Sequence, residues 1–102
     1  MVKLTVLYGH PIDPIAFEEY YASTHLPLAA TMKGFEKVEY TKFLDGADGK
    51  KAIHYRMAEF WFKNAETLQA TMASPEGEAT GADLGNFATG GVKLLVGIVE
   101  SK

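Results

Sequence analysis

The fold is decided in the first third of the chain, residues 2–30, which read VKLTVLYGHPIDPIAFEEYYASTHLPLAA. Residues 2–8 are rich in apolar and β-branched side chains, a pattern that predicts a strand. Its main apolar face carries Val2, Leu4, Val6 and Tyr8. Asp13 is a favoured N-cap residue and Pro14 suits the first helical position, so we expect a helix to begin there. The chain therefore starts with a strand, a short connection and a helix.

This helix carries a continuous, mostly aromatic stripe. An α-helix places on one face the residues that follow a given position by 3, 4, 7, 8 and 11, and here that position is Phe17. The stripe consists of Phe17, Tyr20, Tyr21, Thr24, His25 and Leu28. Pro27 has no N–H to donate and its ring opposes the carbonyl of Ser23, so we expect a kink or break near His25. A short helical continuation to about residue 32 should then end before Gly34.

The rest of the chain supplies three more strands and a second helical region. Strands are predicted over residues 35–44 and 53–62, joined by a turn-rich loop over residues 45–50. The alternation of apolar residues in the first of these strands places Phe35 on the face opposite Val38 and Tyr40. Asn64 can cap a helix that restarts at Ser74, and residues 92–99 form the last strand. The order β-α-β-β-α-β predicts an α+β, ferredoxin-like fold, with a four-stranded antiparallel sheet and both helices on one face. Residues 1–102 form one domain.

The last strand is nearly all apolar, which predicts burial on both of its faces. Leu94, Val96 and Ile98 lie on one side, and Leu95 and Val99 on the other. Two helices cover only one face of a sheet, and an uncovered apolar face of this size marks an interface. We therefore expect a homodimer formed by pairing of two sheets, although the pattern leaves open which face meets the partner.

Composition excludes several classes of function. The chain is 47% hydrophobic and 12% aromatic, has a net charge of -3 and contains no cysteine. It lacks a basic block for nucleic acid and an apolar run long enough for a membrane span, so we expect neither partner. Cytoplasmic location is expected, because there is no signal-peptide pattern and no cysteine. The wide spacing of the three histidines predicts neither metal nor haem, and no nucleotide-binding motif is present.

Taken together, the motifs resemble the EthD family of the dimeric α/β-barrel superfamily. The resemblance runs along the whole chain, through Thr24-His25-Leu26-Pro27-Leu28-Ala29, Ala58-Glu59-Phe60-Trp61-Phe62, Ser74-Pro75-Glu76-Gly77 and Asp83-Leu84-Gly85-Asn86-Phe87. It implies a homodimer whose sheets face each other with the helices outside. Relatives across that superfamily include cofactor-free monooxygenases, polyketide cyclases, lactone isomerases and haem enzymes, so the resemblance leaves the reaction open.

His25 is the candidate catalytic residue. It lies on the buried stripe beside a proline-broken turn, and an imidazole in an apolar pocket suits general acid–base work. The alternative is a core histidine whose ring nitrogens are satisfied by the protein. The candidate substrate-binding residues are Tyr8, Phe17, Tyr20, Tyr21, Thr24 and Leu28. The tyrosines could orient a substrate through their hydroxyls, or could simply be core residues.

Two classes of function follow. The first is a protein that binds a small, mostly apolar or aromatic metabolite and changes it without a cofactor, by oxidation, cyclisation, dehydration or isomerisation. The second is a non-catalytic accessory or binding protein of an oxidative pathway, or a dimeric structural or stress protein without a pocket. The roles of His10 and His54 stay open, and Glu59 is expected to find a cationic or tyrosine partner across the interface.

Overall fold

The computed structural model describes residues 1–100, and its elements follow the predicted order. The four strands are β1 (Val2–Tyr8), β2 (Phe35–Lys42), β3 (Arg56–Phe62) and β4 (Val92–Ile98). The α-helices are α1 (Pro14–Tyr20), α2 (Leu26–Ala29), α3 (Ala65–Ala73) and α4 (Pro75–Asp83). A π-helical turn, Tyr21–His25, joins α1 to α2, and a 3₁₀ turn, Leu84–Asn86, follows α4.

The strands form one antiparallel sheet in the order β2-β3-β1-β4, which confirms the predicted ferredoxin-like fold. Burial alternates along the two central strands, because the helices cover only one face of the sheet. The covered face contributes Leu4, Val6, Tyr8, Ala58, Phe60 and Phe62 to the core. Met57 and Trp61 lie on the other face and are half-buried within the chain.

The break expected near His25 takes the form of the π-helical turn. The N–H of Leu26 bonds to the carbonyl of Tyr21, five residues earlier, which widens the helix where Pro27 cannot donate. A wider turn changes which residues share a face. The buried residues are now four apart, at Phe17, Tyr21, His25 and Ala29. The stripe predicted from the α-helical period is therefore wrong at Thr24, which is exposed.

The facing of Phe35 and the start of the third strand differ from the predicted ones. A β-bulge between Phe35 and Lys37 turns Phe35 onto the same face as Val38 and Tyr40, so its predicted orientation was wrong. The third strand begins at Arg56, and Ile53 lies in the preceding loop with 88% of its surface exposed. A single extra residue in a ladder is enough to reverse the facing of the residues before it.

The predicted burial of the last strand on both faces is wrong for the single chain. Leu94, Leu95, Val96 and Ile98 are 48%, 52%, 62% and 79% exposed. The reason is position, because β4 pairs only with β1 and forms one edge of the sheet, beyond the cover of the helices. An exposed apolar strand at a sheet edge is typical of a surface that another molecule covers.

Side-chain caps fix the helix starts as predicted, with Asp13, Asn64 and Ser74 each accepting a hydrogen bond from a backbone N–H of the first turn. At the junction of α3 and α4, Gly77 allows the two helices to meet closely. A Cβ on Gly77 would lie 2.1 Å from the carbonyl oxygen of Thr71. This tight corner sets the direction of α4, whose last residue is Asp83.

Candidate functional site

His25 and Asp83 form a buried pair where the π-helical turn faces the end of α4. The His25 Nδ1 atom lies 2.9 Å from Asp83 Oδ2, and the two side chains are only 6% and 8% exposed. Phe87 lies 4.5 Å from the imidazole, measured between ring centroids, and Tyr21 stacks nearly parallel to it at 5.9 Å. These contacts hold the imidazole in one orientation.

The second carboxylate oxygen of Asp83 is also occupied. The Tyr20 hydroxyl donates to Oδ1 at 2.5 Å, and the Asn86 side-chain amide donates to the same atom at 2.9 Å. Burial by itself raises the pKa of Asp83, but the hydrogen bonds from Tyr20, Asn86 and His25 together outweigh it and lower the pKa below its usual value. Asp83 is therefore an anion at neutral pH.

The charge on Asp83 decides which nitrogen of His25 carries the proton. An ionised carboxylate can only accept hydrogen bonds, so Nδ1 must be the protonated nitrogen that donates to Asp83. In the neutral imidazole, Nε2 then keeps its lone pair. Within residues 1–100 no protein group is hydrogen-bonded to Nε2. His25 thus presents a free basic nitrogen.

An apolar cavity between the helices and the sheet is bordered by this imidazole. Tyr8, Tyr21, Phe60, Met72 and Leu94 also line it. The volume open to the centre of a water molecule is about 30 Å³, which is room for about two waters. Tyr40 of β2 also lines the cavity, and it and Leu94 of β4 are 38% and 48% exposed, so half-exposed residues of both edge strands border the cavity.

The Tyr21 hydroxyl is a buried polar group without a protein partner. Tyr21 is 2% exposed and lines the cavity, and no group within residues 1–100 is hydrogen-bonded to its hydroxyl. Burial raises the pKa of Tyr21 and of Tyr8 well above the usual tyrosine value, so both phenols stay protonated. The cavity therefore offers hydroxyl donors next to the basic nitrogen of His25.

A charged pair lies behind Tyr21. Arg56 donates to Glu18 through Nε at 2.9 Å and through Nη2 at 2.5 Å, and the Tyr55 hydroxyl donates to the same carboxylate at 2.9 Å. The Arg56 guanidinium lies 4.9 Å from the centre of the Tyr21 ring, in a cation–π arrangement. It thereby brings positive charge close to the phenol that faces the cavity.

Comparison with known proteins identifies the family. The sequence model of the EthD domain matches residues 9–91. The chain belongs to the EthD family. An uncharacterized 11.0 kDa protein of the thcB-thcC intergenic region of Rhodococcus erythropolis is 38% identical over 95 residues, covering 93% of this chain and 91% of that protein. The crystal structure of an EthD-family (ethyl tert-butyl ether D) protein from Bacillus halodurans is 35% identical, with a TM-score of 0.90 over 98% of this chain and 99% of that one.

More distant structures share the fold alone. A hydroxynitrile lyase from Passiflora edulis is 10% identical, with a TM-score of 0.76 over 99% of this chain and 95% of its own. SnoaB, a cofactor-independent oxygenase from Streptomyces nogalater, is 16% identical, with a TM-score of 0.62 over 99% of this chain and 93% of its own. The fold of the EthD-family protein is thus shared with enzymes of different reaction classes.

The structure separates the predicted site residues of this EthD-family protein into three groups. Tyr8, Tyr21 and His25 line the cavity. Phe17 and Tyr20 border a different, outer cleft, and the Tyr20 hydroxyl bonds to Asp83. Thr24 is exposed and Leu28 is half-buried, and neither lines the cavity.

Sequence reasoning did not single out Asp83, although it lies in the quoted Asp-Leu-Gly-Asn-Phe motif. The available signal was an acidic residue at the end of a helix whose neighbours Leu84 and Phe87 are apolar, since a buried carboxylate needs partners. Its partner His25 is 58 positions away, and only the tertiary fold brings them together. Asn86 was missed for the same reason.

Other polar residues of the EthD-family chain have local roles. Glu59 pairs with Lys3 of the same chain at 2.9 Å, so the expected partner across an interface was wrong. His10 Nε2 lies 2.5 Å from the carbonyl oxygen of Ala52. In the part of the chain that the structure describes, no group of three or more His, Asp or Glu side chains could hold a metal ion. Over residues 1–100, no helix has the length and apolarity to cross a membrane.

Acid should weaken the fold through Glu18. The hydrogen bond from Arg56 is the main cause that lowers the pKa of Glu18 from 4.5 to about 2. Its stabilising effect is therefore complete above pH 4.5 and is lost as the pH falls toward 2. We expect Glu18→Gln to lower the free energy of unfolding at pH 7 by about 1–2 kcal/mol, allowing for partial exposure of the pair, and by less as the pH approaches 2. Denaturant unfolding at several pH values measures this.

The exposed neighbour Glu19→Gln is the matched control, and it should follow the wild-type pH dependence. If Glu18→Gln lost the same stability at pH 2.5 as at pH 7, the Glu18–Arg56 pair would not be the source of the effect.

Proposed function

We propose that this EthD-family protein binds a small, mostly apolar or aromatic metabolite in the cavity beside His25 and transfers a proton to or from it. The observation that carries the proposal is the His25–Asp83 pair beside an apolar cavity, with no group of residues 1–100 hydrogen-bonded to His25 Nε2. The proposed chemistry needs neither metal nor nucleotide. Tyr8 and Tyr21 orient the ligand through their hydroxyls.

The arrangement has the parts that a general base requires. The pKa of Asp83 is lowered by its donors, so its carboxylate stays ionised and can stabilise the imidazolium that forms when Nε2 takes a proton. The Tyr21 ring, which stacks on the imidazole, and the Phe87 ring, which is tilted against it, fix the direction in which Nε2 points. In a histidine that serves only the core, both ring nitrogens are normally hydrogen-bonded within the protein, as other buried polar atoms are.

The second candidate is an accessory protein that binds such a ligand without changing it. The cavity volume of about 30 Å³ bears equally on both readings, because an enzyme and a binding protein each need room for the ligand. The fold does not decide between the two, since fold and reaction vary independently. Turnover of the bound ligand is the observation that separates them.

A homodimer in the cytoplasm is part of the same proposal. The exposed apolar residues of β4 support assembly, and the absence of cysteine fits a reducing compartment. A structure of the same fold from Bacteroides fragilis is described as a dimeric protein. The uncovered face of the sheet, opposite the helices, is the surface that a second sheet would meet.

Ligand-observed NMR with butanone, 2-butanol, phenol and toluene tests the proposal. We expect saturable binding of at least one of these compounds to the wild-type protein. His25→Gln keeps a donor for Asp83, so it should retain most of the stability and weaken binding about 10-fold, the effect of one lost hydrogen bond. Equilibrium unfolding of the same variant measures stability.

His25→Ala is the comparison variant. It leaves the Asp83 carboxylate short of a donor and opens a cavity, so it should lose stability as well as binding. Unchanged binding by His25→Gln together with a large stability loss would assign His25 to the core. Binding without turnover of any compound would favour the accessory role.

A further inference from the structure

We infer that the polar end of the ligand is a carbonyl oxygen, which the Tyr21 hydroxyl holds while His25 Nε2 removes a proton from the adjacent carbon. This inference rests on the proposed function of the His25 cavity and specifies its substrate class. It makes Tyr21 a catalytic residue as well as a wall of the cavity.

The first argument is the unpartnered Tyr21 hydroxyl. A buried hydroxyl without a hydrogen bond is costly, and few native side chains tolerate it. This hydroxyl belongs to a cavity-lining residue whose ring stacks on His25, the next residue of the buried stripe. A ligand oxygen that accepts from Tyr21 therefore places its neighbouring atoms close to the imidazole.

The second argument is the charge state of the groups around the cavity. Burial raises the pKa of Tyr8, Tyr21 and Tyr40, so all three phenols act as neutral donors. Asp83 and Glu18 are both engaged by donors of the protein itself. None of the described residues that line the cavity is an Asp or Glu, so the cavity offers no carboxylate to a cationic ligand, and a neutral acceptor suits the hydroxyls.

The positive charge of Arg56 beside Tyr21 favours a carbonyl over an alcohol as the polar end of the ligand. The Arg56 guanidinium lies 4.9 Å from the centre of the Tyr21 ring and lowers the pKa of the phenol, against the larger effect of burial, which raises it. The positive potential strengthens the hydrogen bond that the Tyr21 phenol donates to a ligand oxygen when that oxygen becomes negatively charged. A bound alcohol gains little from this, whereas the enolate formed from a carbonyl compound gains much.

The proposed step needs no other reactant. The C–H bond next to the carbonyl breaks, its proton moves to His25 Nε2, and its electron pair becomes the C=C bond of the enolate. The carbonyl oxygen gains the negative charge and is held by the hydroxyl of Tyr21. Return of a proton from the imidazolium to the same or another carbon completes an exchange or an isomerisation.

Exchange of the α-protons of butanone in D₂O, followed by NMR, tests the inference. We expect the wild-type protein to catalyse exchange and His25→Gln to fall to the buffer rate. Tyr21→Phe removes a hydroxyl that has no protein partner, so it should fold normally and lose about 10²–10³ in rate. Ser23→Ala, which removes an exposed hydroxyl of the same π-helical turn outside the cavity, is the matched control and should exchange as fast as the wild type.

Two results would overturn the inference and leave the proposed function standing. One is His25-dependent binding of phenol, which has an acidic proton but no carbonyl group, with neither binding nor α-exchange of butanone. The other is exchange that His25→Gln abolishes and Tyr21→Phe leaves unchanged. If the wild-type protein bound none of the tested compounds and catalysed no exchange, the proposed function itself would fail.

Discussion

Asp83→Asn is expected to lower the rate of any proton transfer at His25 by about 10³–10⁴, the scale known for the same exchange in a catalytic triad. Tyr20 and Asn86 both donate to Oδ1, so the asparagine would place its oxygen there and its amide nitrogen toward His25. That nitrogen can only donate, and His25 Nδ1 would have to become the acceptor. The proton would then sit on Nε2, where the lone pair is needed.

The rate of butanone α-exchange and the free energy of unfolding should be measured on the same Asp83→Asn sample. The side chain keeps its shape and its partners, so the loss of rate should far exceed the loss of stability. Asp48→Asn, on the exposed loop before β3, is the control and should change neither. A variant at Asp83 with near wild-type exchange would show that this carboxylate does not set the proton position on His25.

Leu95→Asp is expected to convert the proposed dimer to monomers. The pairing of β1 with β4 places Leu95 beside Thr5, on the sheet face that the helices leave uncovered. Leu95 is 52% exposed in the single chain, so a partner sheet is needed to bury it. Twofold symmetry would place two carboxylates in one apolar interface, and we expect the dissociation constant to rise at least about 100-fold.

Analytical ultracentrifugation at micromolar concentration should return twice the 11.1 kDa chain mass for the wild type and the chain mass for Leu95→Asp. Ile15→Asp is the control, because Ile15 lies on α1, away from the sheet, and is already 75% exposed. A wild-type protein that stays monomeric at high concentration would contradict the dimer. A dimeric Leu95→Asp would place the interface elsewhere.

Local signals predicted the order and type of the elements. The helix caps were predictable at Asp13, Asn64 and Ser74, because a cap depends only on the residues of its own first turn. The facing of Phe35 was not predictable, because the bulge depends on how β2 pairs with β3. The exposure of β4 was missed for a similar reason, since an edge strand and a central strand can share one apolar pattern.

The candidate site was predictable only in part. His25 and Tyr21 were identified because they share the buried side of one helix. The π-helical turn moved Thr24 out of that set. The α-helical spacing of apolar residues does not predict the hydrogen bonds of a π-helical turn. Asp83 comes from the far end of the chain, so its meeting with His25 depends on the close corner at Gly77 between α3 and α4. Asn86 joins the site through its bond to Asp83.

The most direct test of the account is NMR of the ¹⁵N-labelled imidazole of His25 during titration with butanone. The account predicts that free His25 carries its proton on Nδ1 and that the Nε2 resonance shifts saturably as the ligand binds, with Nδ1 nearly unchanged. A proton on Nε2, or an Nε2 resonance that does not respond to a bound ligand, would contradict it.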